Sequence, residues 1–209
     1  MVSLILIVIL SYILGSLSPS IVIGKIFYGQ DIRKLGSGNA GATNVIRELG
    51  WKAGVIVGVT DLVKGYVAAV FISKVSIGEI PISHSLVQII AGVSAVIGHI
   101  WTIFHGFRGG KGVLTATGVF FGLAPVTTTL CLVVWGIVVY KTRYISLGSI
   151  VGIITLGIIM AVRRYVLENV DTLLFAFSVL IALLVIYAHR SNIKKLLSGT
   201  ESKFERKKR

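Results

Sequence analysis

The sequence predicts an all-α integral membrane protein with about seven transmembrane helices, two of them short. Hydrophobic residues make up 55% of the 209 residues, and the mean hydropathy is +0.90. These residues form long apolar runs separated by short polar loops, which is typical of a membrane protein. The basic residues concentrate in alternate loops, and this bias predicts an external N-terminus and a cytoplasmic C-terminus.

Four apolar runs are long enough to cross a bilayer, and a fifth is apolar enough. The first four are residues 2–26, 51–72, 85–104 and 172–188, and the fifth is residues 145–162.

The run 113–140 contains 28 residues and would be about 42 Å long as a single helix. The sequence Leu123-Ala-Pro125 predicts a break, because proline interrupts a helix. If the run crosses only once, the basic loops that carry Lys111 and Arg143 lie on opposite sides. Two short helices that enter and return place these loops together. The basic-residue bias favours the second arrangement.

The net charge of +13 arises mostly in short loops and in a charged tail, residues 199–209. This distribution favours contact with anionic lipid over nucleic acid, for which the sequence has no motif. The single cysteine, Cys131, lies in an apolar run, and carboxylates are few and scattered. We therefore predict one transmembrane domain over residues 1–209 and a cytoplasmic tail, with no cofactor, no metal and no nucleic-acid partner.

The first polar loop, Gly36-Ser-Gly-Asn-Ala-Gly-Ala-Thr-Asn-Val-Ile-Arg47, has the composition of an anion-binding site. Glycines expose backbone N–H groups, and an arginine side chain matches phosphate oxygens. The same glycines and asparagines also suit a well-capped turn. The candidate ligand-binding residues of this loop are Gly36, Ser37, Gly38, Asn39, Thr43, Asn44 and Arg47.

The second polar loop, Gly106-Phe-Arg-Gly-Gly-Lys-Gly112, resembles a nucleotide P-loop but lacks two of its residues. His105 stands where that motif needs glycine, and Gly112 stands where it needs serine or threonine. A phosphate cradle remains compatible with the sequence, and an ATPase does not. The alternative for Arg108 and Lys111 is anchoring at the membrane interface. The candidate phosphate-binding residues here are Gly109, Gly110, Lys111 and Gly112.

Charged and polar residues also occur within the apolar runs. Asp61 and Lys64 are three residues apart in the second run, and we favour a structural ion pair over catalysis. His99 lies near the end of the third run, where it either binds substrate or forms a hydrogen bond between helices.

The remaining candidates lie at the ends of the later runs. Arg143, Ser146 and Ser149 would share one face of a helix, as either a phosphate site or an anchor with a serine cap. If the last span continues as helix, His189 and Asn192 lie on one stripe. The alternative for His189 is an interfacial histidine.

Taken together, these loops resemble the bacterial acyl-phosphate:glycerol-3-phosphate acyltransferase family of the PlsY type. The stretch from Gly36 to Arg47 is similar to the first motif, and Gly98-His99 through Gly112 to the second. Arg143 with the two serines, and His189-Arg-Ser-Asn-Ile with Gly199-Thr-Glu-Ser-Lys203, resemble the remaining elements. The chain departs from the usual pattern at Thr102, where proline is usual, at His105, and at Gly15-Ser-Leu-Ser-Pro19.

The resemblance implies a multi-pass enzyme of the bacterial inner membrane whose site faces the cytoplasm. It implies transfer of a fatty acyl group from acyl phosphate to the 1-hydroxyl of glycerol 3-phosphate. The products would be lysophosphatidic acid and inorganic phosphate, in the first step of phospholipid synthesis. We expect a monomer that contacts membrane lipid. The alternative is a membrane transporter of a phosphorylated metabolite.

On this interpretation the acceptor attacks directly, without an acyl-enzyme intermediate, and the four polar segments meet in one pocket. His189 is the side-chain candidate for proton acceptor, and the phosphate of the acceptor is the alternative. The expected catalytic residues are Ser37, Arg47, Lys111, Ser146, His189 and Asn192. The expected substrate-binding residues are Gly36, Gly38, Asn39, Thr43, Asn44, His99, Gly109, Gly110, Gly112, Arg143 and Ser149.

Overall fold

The computed structural model describes residues 1–204, which form ten α-helices and short 3₁₀ turns. No strand occurs among these residues. The helices are α1 (Val2–Ser16), α2 (Pro19–Tyr28), α3 (Ala42–Leu49), α4 (Trp51–Val70), α5 (His84–Ile100), α6 (Val113–Leu123), α7 (Pro125–Thr142), α8 (Ile145–Tyr165), α9 (Thr172–Ala188) and α10 (Arg190–Leu197). The all-α prediction is confirmed for this part of the chain. Of the predicted tail, residues 205–209 lie outside the described residues.

Five helical segments are long and apolar enough to cross a membrane. They are Val2–Tyr28, Trp51–Lys74, His84–His105, Pro125–Thr142 and Ile145–Tyr165. The pair α9 and α10 qualifies as a sixth span if its 60° bend is accepted, and α6 is a shorter apolar helix. Seven spans, and the side that each terminus faces, stay predictions.

The predicted break near Pro125 is confirmed. α6 ends at Leu123 and α7 begins at Pro125. Proline suits the first position of a helix, because the N–H group that it lacks would have no partner within the helix. The two helices are not equally short, since α6 has 11 residues and α7 has 18.

The chain forms two compact units, the first from Met1 to Leu123. In this unit α4 packs against α6, and α1 packs against α5. Gly65 of α4 faces the carbonyl of Thr115, and Gly118 of α6 faces the carbonyl of Leu62 so closely that a Cβ atom would overlap it. Small residues of this kind allow backbones to pack together in a membrane, where hydrophobic driving force between helices is weak.

The second unit begins at Ala124, and in it α8 packs against both α7 and α9. Arg143 ends α7 in the left-handed conformation, with φ of 65°. The end of the described chain returns to this point, because the Phe204 N–H donates to the Arg143 carbonyl at 2.6 Å.

Candidate active site

Asn44 organises the first polar loop from a buried position at the second residue after the start of α3. Its Oδ1 accepts the Ser37 N–H at 3.0 Å, and its Nδ2 lies 3.0–3.1 Å from the carbonyls of Ile32, Leu35 and Asn39. The side chain is 2% exposed. Both polar atoms of the amide are therefore bonded to the loop itself, which favours the turn-forming alternative for this residue.

The rest of the first loop rests on a small apolar core. Ile32 and Val45 are fully buried against Ile21 of α2 and Val57 of α4. Ser20 of α2 adds a hydrogen bond to the Ala40 carbonyl at 3.0 Å. Among the polar residues of this loop, Ser37 is exposed, and Asn39, Thr43 and Arg47 are half-buried. Gly36 and Gly38 turn the chain with φ of 53° and 72°.

The second loop is bonded to the end of α5. The N–H groups of Gly109 and Gly110 donate to the carbonyls of Ile100 and His99, at 3.0 Å each. These two groups complete the C-terminus of a helix. They are therefore unavailable for the predicted phosphate cradle, which needs its donors from elsewhere in the loop. Lys111 follows directly and is half-buried, and Gly112 is buried with φ of 80°.

Arg33 joins the first loop to the second. Its Nη1 donates to the His105 carbonyl at 2.9 Å, while Nε and Nη2 donate to the carboxylate of Asp31 at 3.0 and 2.7 Å. The hydrogen bonds from Arg33 hold the pKa of Asp31 well below its ordinary value, and Asp31 raises the pKa of Arg33. This link brings together two loops that are distant in sequence.

We expect the Asp31→Asn variant to be less stable at pH 7, by about 2 °C in Tm, because one charge of the pair is lost. A depressed pKa in the folded state stabilises the protein above the ordinary value of 3.8, and this contribution disappears as the pH falls toward the folded pKa. The difference in Tm from wild type should therefore stay constant from pH 7 to about pH 4 and shrink at lower pH in detergent. A difference that grows at low pH would contradict the assignment.

Asp61 lies in a buried network with two basic side chains. Its Oδ1 is 2.8 Å from Lys64 Nζ and 3.3 Å from His99 Nδ1. The predicted ion pair is confirmed, and His99 joins it across α4 and α5. His99 thus makes the helix-to-helix contact that the sequence left as its alternative.

In the second unit, Glu201 connects two of the predicted catalytic residues. Its Oε1 accepts the Ser146 hydroxyl at 2.8 Å and the Asn192 amide at 2.9 Å. Ser146 is buried near the start of α8, and Asn192 is half-buried in α10. Two side chains 46 residues apart in sequence are therefore held at one carboxylate.

His189 stands at the 60° bend between α9 and α10. The last span does not continue as a straight helix. α9 ends at Ala188, and His189 is both the C-cap of α9 and the N-cap of α10. The ring is 3% exposed, and Nδ1 lies 2.8 Å from the Val185 carbonyl. Since a carbonyl only accepts, this contact assigns the proton to Nδ1 and leaves Nε2 as the basic nitrogen of the neutral ring.

Ser146 and Ser149 share one buried face of α8, as predicted, but Arg143 does not belong to that helix. Arg143 is exposed and precedes α8, whose N-cap is Tyr144. The left-handed backbone at Arg143 sets the direction of its side chain independently of α8. Ser149 is buried and donates to the Ile145 carbonyl at 3.0 Å, one turn earlier in α8.

The sequence profile of the glycerol-3-phosphate acyltransferase family matches residues 5–199. The chain belongs to this family. It is 43% identical to the glycerol-3-phosphate acyltransferase of Chlorobium phaeobacteroides (strain BS1), over 97% of both chains.

Two crystal structures of PlsY, an integral membrane glycerol 3-phosphate acyltransferase, have the same fold as this acyltransferase. The glycerol 3-phosphate form superposes with a TM-score of 0.85 at 37% identity, over 97% of this chain and 96% of that one. The lysophosphatidic acid form gives a TM-score of 0.79 at 36% identity with the same coverage. The chain is therefore a membrane acyltransferase with several apolar helices.

Thr102 contacts the end of the first helix of this acyltransferase. It donates its hydroxyl to the Ser16 carbonyl at 2.6 Å. Ser16 ends α1, and Pro19 begins α2. The threonine thus satisfies a carbonyl that the break leaves without a helical partner.

The sequence did not indicate the contacts that Glu201, Asp31 and Arg33 make with the candidate segments. Glu201 belongs to the segment Gly199-Thr-Glu-Ser-Lys203, but only the fold places it beside Ser146. Asp31 and Arg33 carry opposite charges two residues apart, at the start of a short 3₁₀ turn, Ile32–Lys34. Among residues 1–204, no three His, Cys, Asp or Glu side chains are placed to bind a metal ion.

Proposed function

We propose that this acyltransferase transfers a fatty acyl group from acyl phosphate to the 1-hydroxyl of glycerol 3-phosphate, at the cytoplasmic face of a bacterial inner membrane. The observation that carries the proposal is the likeness, at a TM-score of 0.85, to a PlsY structure in its glycerol 3-phosphate form. The second form of that protein contains lysophosphatidic acid, which is what acylation of glycerol 3-phosphate yields.

Acyl phosphate fits as the donor because it needs no nucleophile from the protein. Cys131 lies in α7, and no histidine that could activate its thiol stands beside it in sequence. Coenzyme A-dependent glycerolipid acyltransferases use a His-x4-Asp motif. None of the four histidines of this chain has aspartate five residues later. Phosphate is already a good leaving group, so direct attack suffices.

In the proposed reaction, the 1-hydroxyl oxygen bonds to the acyl carbonyl carbon while the bond from that carbon to the phosphate oxygen breaks. An ester and inorganic phosphate result. Arg47, Lys111 and Arg143 hold phosphate groups and stabilise the charge on the leaving group. The hydroxyls and amides of Ser37, Asn39, Ser146 and Asn192 orient the acceptor and the acyl carbonyl, and Thr43 and Ser149 support them.

The hydroxyl proton has two possible acceptors. His189 fits the role because its Nδ1 faces the Val185 carbonyl and Nε2 is therefore the basic nitrogen. The phosphate of the acceptor fits it because that group is dianionic near neutral pH. A pH–rate profile of His189→Ala distinguishes them, since near-full activity with an unchanged profile assigns the proton to the phosphate.

We expect the purified protein in detergent to release inorganic phosphate from acyl phosphate only when glycerol 3-phosphate is present, with lysophosphatidic acid formed in equal amount. Mass spectrometry of the lipid and a phosphate assay measure the two products. Coenzyme A thioester should not replace acyl phosphate as donor. Absence of turnover, together with uptake of glycerol 3-phosphate into reconstituted vesicles, would favour the transporter instead.

A further inference from the structure

The buried network around Asp61 has no part in the reaction as proposed. Asp61 is 1% exposed, Lys64 is 4% exposed and His99 is 7% exposed. Charged side chains within a membrane span are costly to bury, and an ion pair in a low-dielectric interior often stabilises a protein no better than apolar residues would. The cost suggests a role other than stability.

On one side the network reaches the second polar loop through His99. Asp61 holds the ring at Nδ1, and the opposite edge of the ring lies against Gly110, where a Cβ atom would overlap Nε2. The backbone carbonyl of His99 also accepts the Gly110 N–H at 3.0 Å. The loop immediately before Lys111 therefore rests on His99, from both its ring and its backbone.

On the other side the network reaches the first polar loop through Lys64. Lys64 Nζ donates to the Leu17 carbonyl at 2.8 Å, at the break between α1 and α2. This break leads into Ser20, whose hydroxyl holds the Ala40 carbonyl of the first loop at 3.0 Å. Asp61 thus lies between two series of contacts, one to each glycine-rich loop.

We propose that Asp61, Lys64 and His99 form a positioning network that fixes the first and second polar loops in the geometry that binds the substrates. Asp61 and Lys64 act through their neighbours and do not touch substrate. The proposal rests on the proposed function, because it supposes that these loops bind phosphate groups. If the network served stability alone, Lys64 and His99 would not both need contacts that connect to the glycine-rich loops.

The test removes the network without leaving a buried charge unpaired. The double variant Asp61→Leu/Lys64→Met loses both charges, and His99→Ala loses the ring while keeping the ion pair. We expect each to lower kcat/KM about 10²-fold, because a misplaced binding group costs about that much. The triple variant should be no less active than the less active of these two variants. Asp61 acts on the second loop through His99, so the effects of losing the two residues are not additive.

A second measurement reports loop order without any turnover. A nitroxide label on Arg108→Cys, in a Cys131→Ala background, lies on the exposed part of the second loop. Its electron paramagnetic resonance spectrum should show greater mobility in the double variant and in His99→Ala. A label on Glu79→Cys, exposed in the connection between α4 and α5 at their other ends, is the matched control and should not change.

The outcomes separate the two proposals. A wild-type protein without acyl transfer refutes the proposed function, and the label still tests the network. Wild-type turnover with a double variant within about twofold of it, or an unchanged label at position 108, overturns the network even if Tm falls. If the double variant fails to fold, His99→Ala carries both readouts, and near-full turnover with an unchanged label overturns the proposal.

Discussion

A Lys111→Ala variant should lose about 10²–10³-fold in kcat, the usual effect of removing one group that stabilises developing charge. The backbone on either side of Lys111 is fixed, because Gly110 is bonded to the end of α5 and Gly112 is buried in the left-handed region. The ammonium group is therefore presented from an ordered position. Steady-state kinetics with acyl phosphate and glycerol 3-phosphate measure the loss.

Arg108→Ala is the matched control for this prediction. Arg108 carries the same charge in the same loop but is exposed, and it follows Phe107, whose φ of 58° marks the turn. We expect its kcat to stay within about threefold of wild type, as for other exposed charges. Equal losses in both variants would favour the alternative in which the two basic residues only anchor the loop at the membrane interface.

A Glu201→Ala variant should lose about 10²-fold in kcat/KM and unfold at a lower temperature. One oxygen of Glu201 accepts hydrogen bonds from Ser146 and from Asn192, so its removal leaves a hydroxyl and an amide without their common acceptor. Both side chains then lose the orientation that the proposed reaction needs. Activity and Tm in detergent measure the two effects.

Glu201→Gln keeps an acceptor oxygen at the same place and should retain more activity than Glu201→Ala. Lys203→Ala is a control on the same segment, because it removes only a contact at 5.9 Å from the Tyr144 ring. We expect this control to behave almost as wild type. Wild-type kinetics in Glu201→Ala would show that Ser146 and Asn192 do not depend on the carboxylate.

The positions of the helices followed largely from local sequence. Apolar runs located the long helices to within a few residues, and Pro125 located the break between α6 and α7. Asp61 and Lys64 were predicted to pair, because residues three apart share a helix face and a buried charge needs a partner. The single domain over residues 1–209 and the meeting of four polar segments in one pocket stay predictions.

The roles of individual polar residues were less predictable, since glycine and asparagine serve turns and ligands equally well. Asn44 directs its amide to the first loop, and Gly109 and Gly110 direct their N–H groups to α5. Arg143 was expected on the face of α8 but ends α7 instead. For Gly109 and Gly110 the partners that decide the role lie in α5, outside the loop, and for Asn44 they are backbone groups that only the folded loop brings to the side chain.

The amino-acid sequence by itself determined the all-α membrane class, the family and the segments that carry polar chemistry, because hydropathy, proline breaks and motif order are local properties of the chain. Only the tertiary structure decided that His99 contacts Asp61, that Arg33 joins two loops and that Glu201 holds Ser146 with Asn192. These contacts connect residues up to 72 positions apart. They exist only once the helices pack, since the direction of each side chain depends on which neighbour that packing supplies.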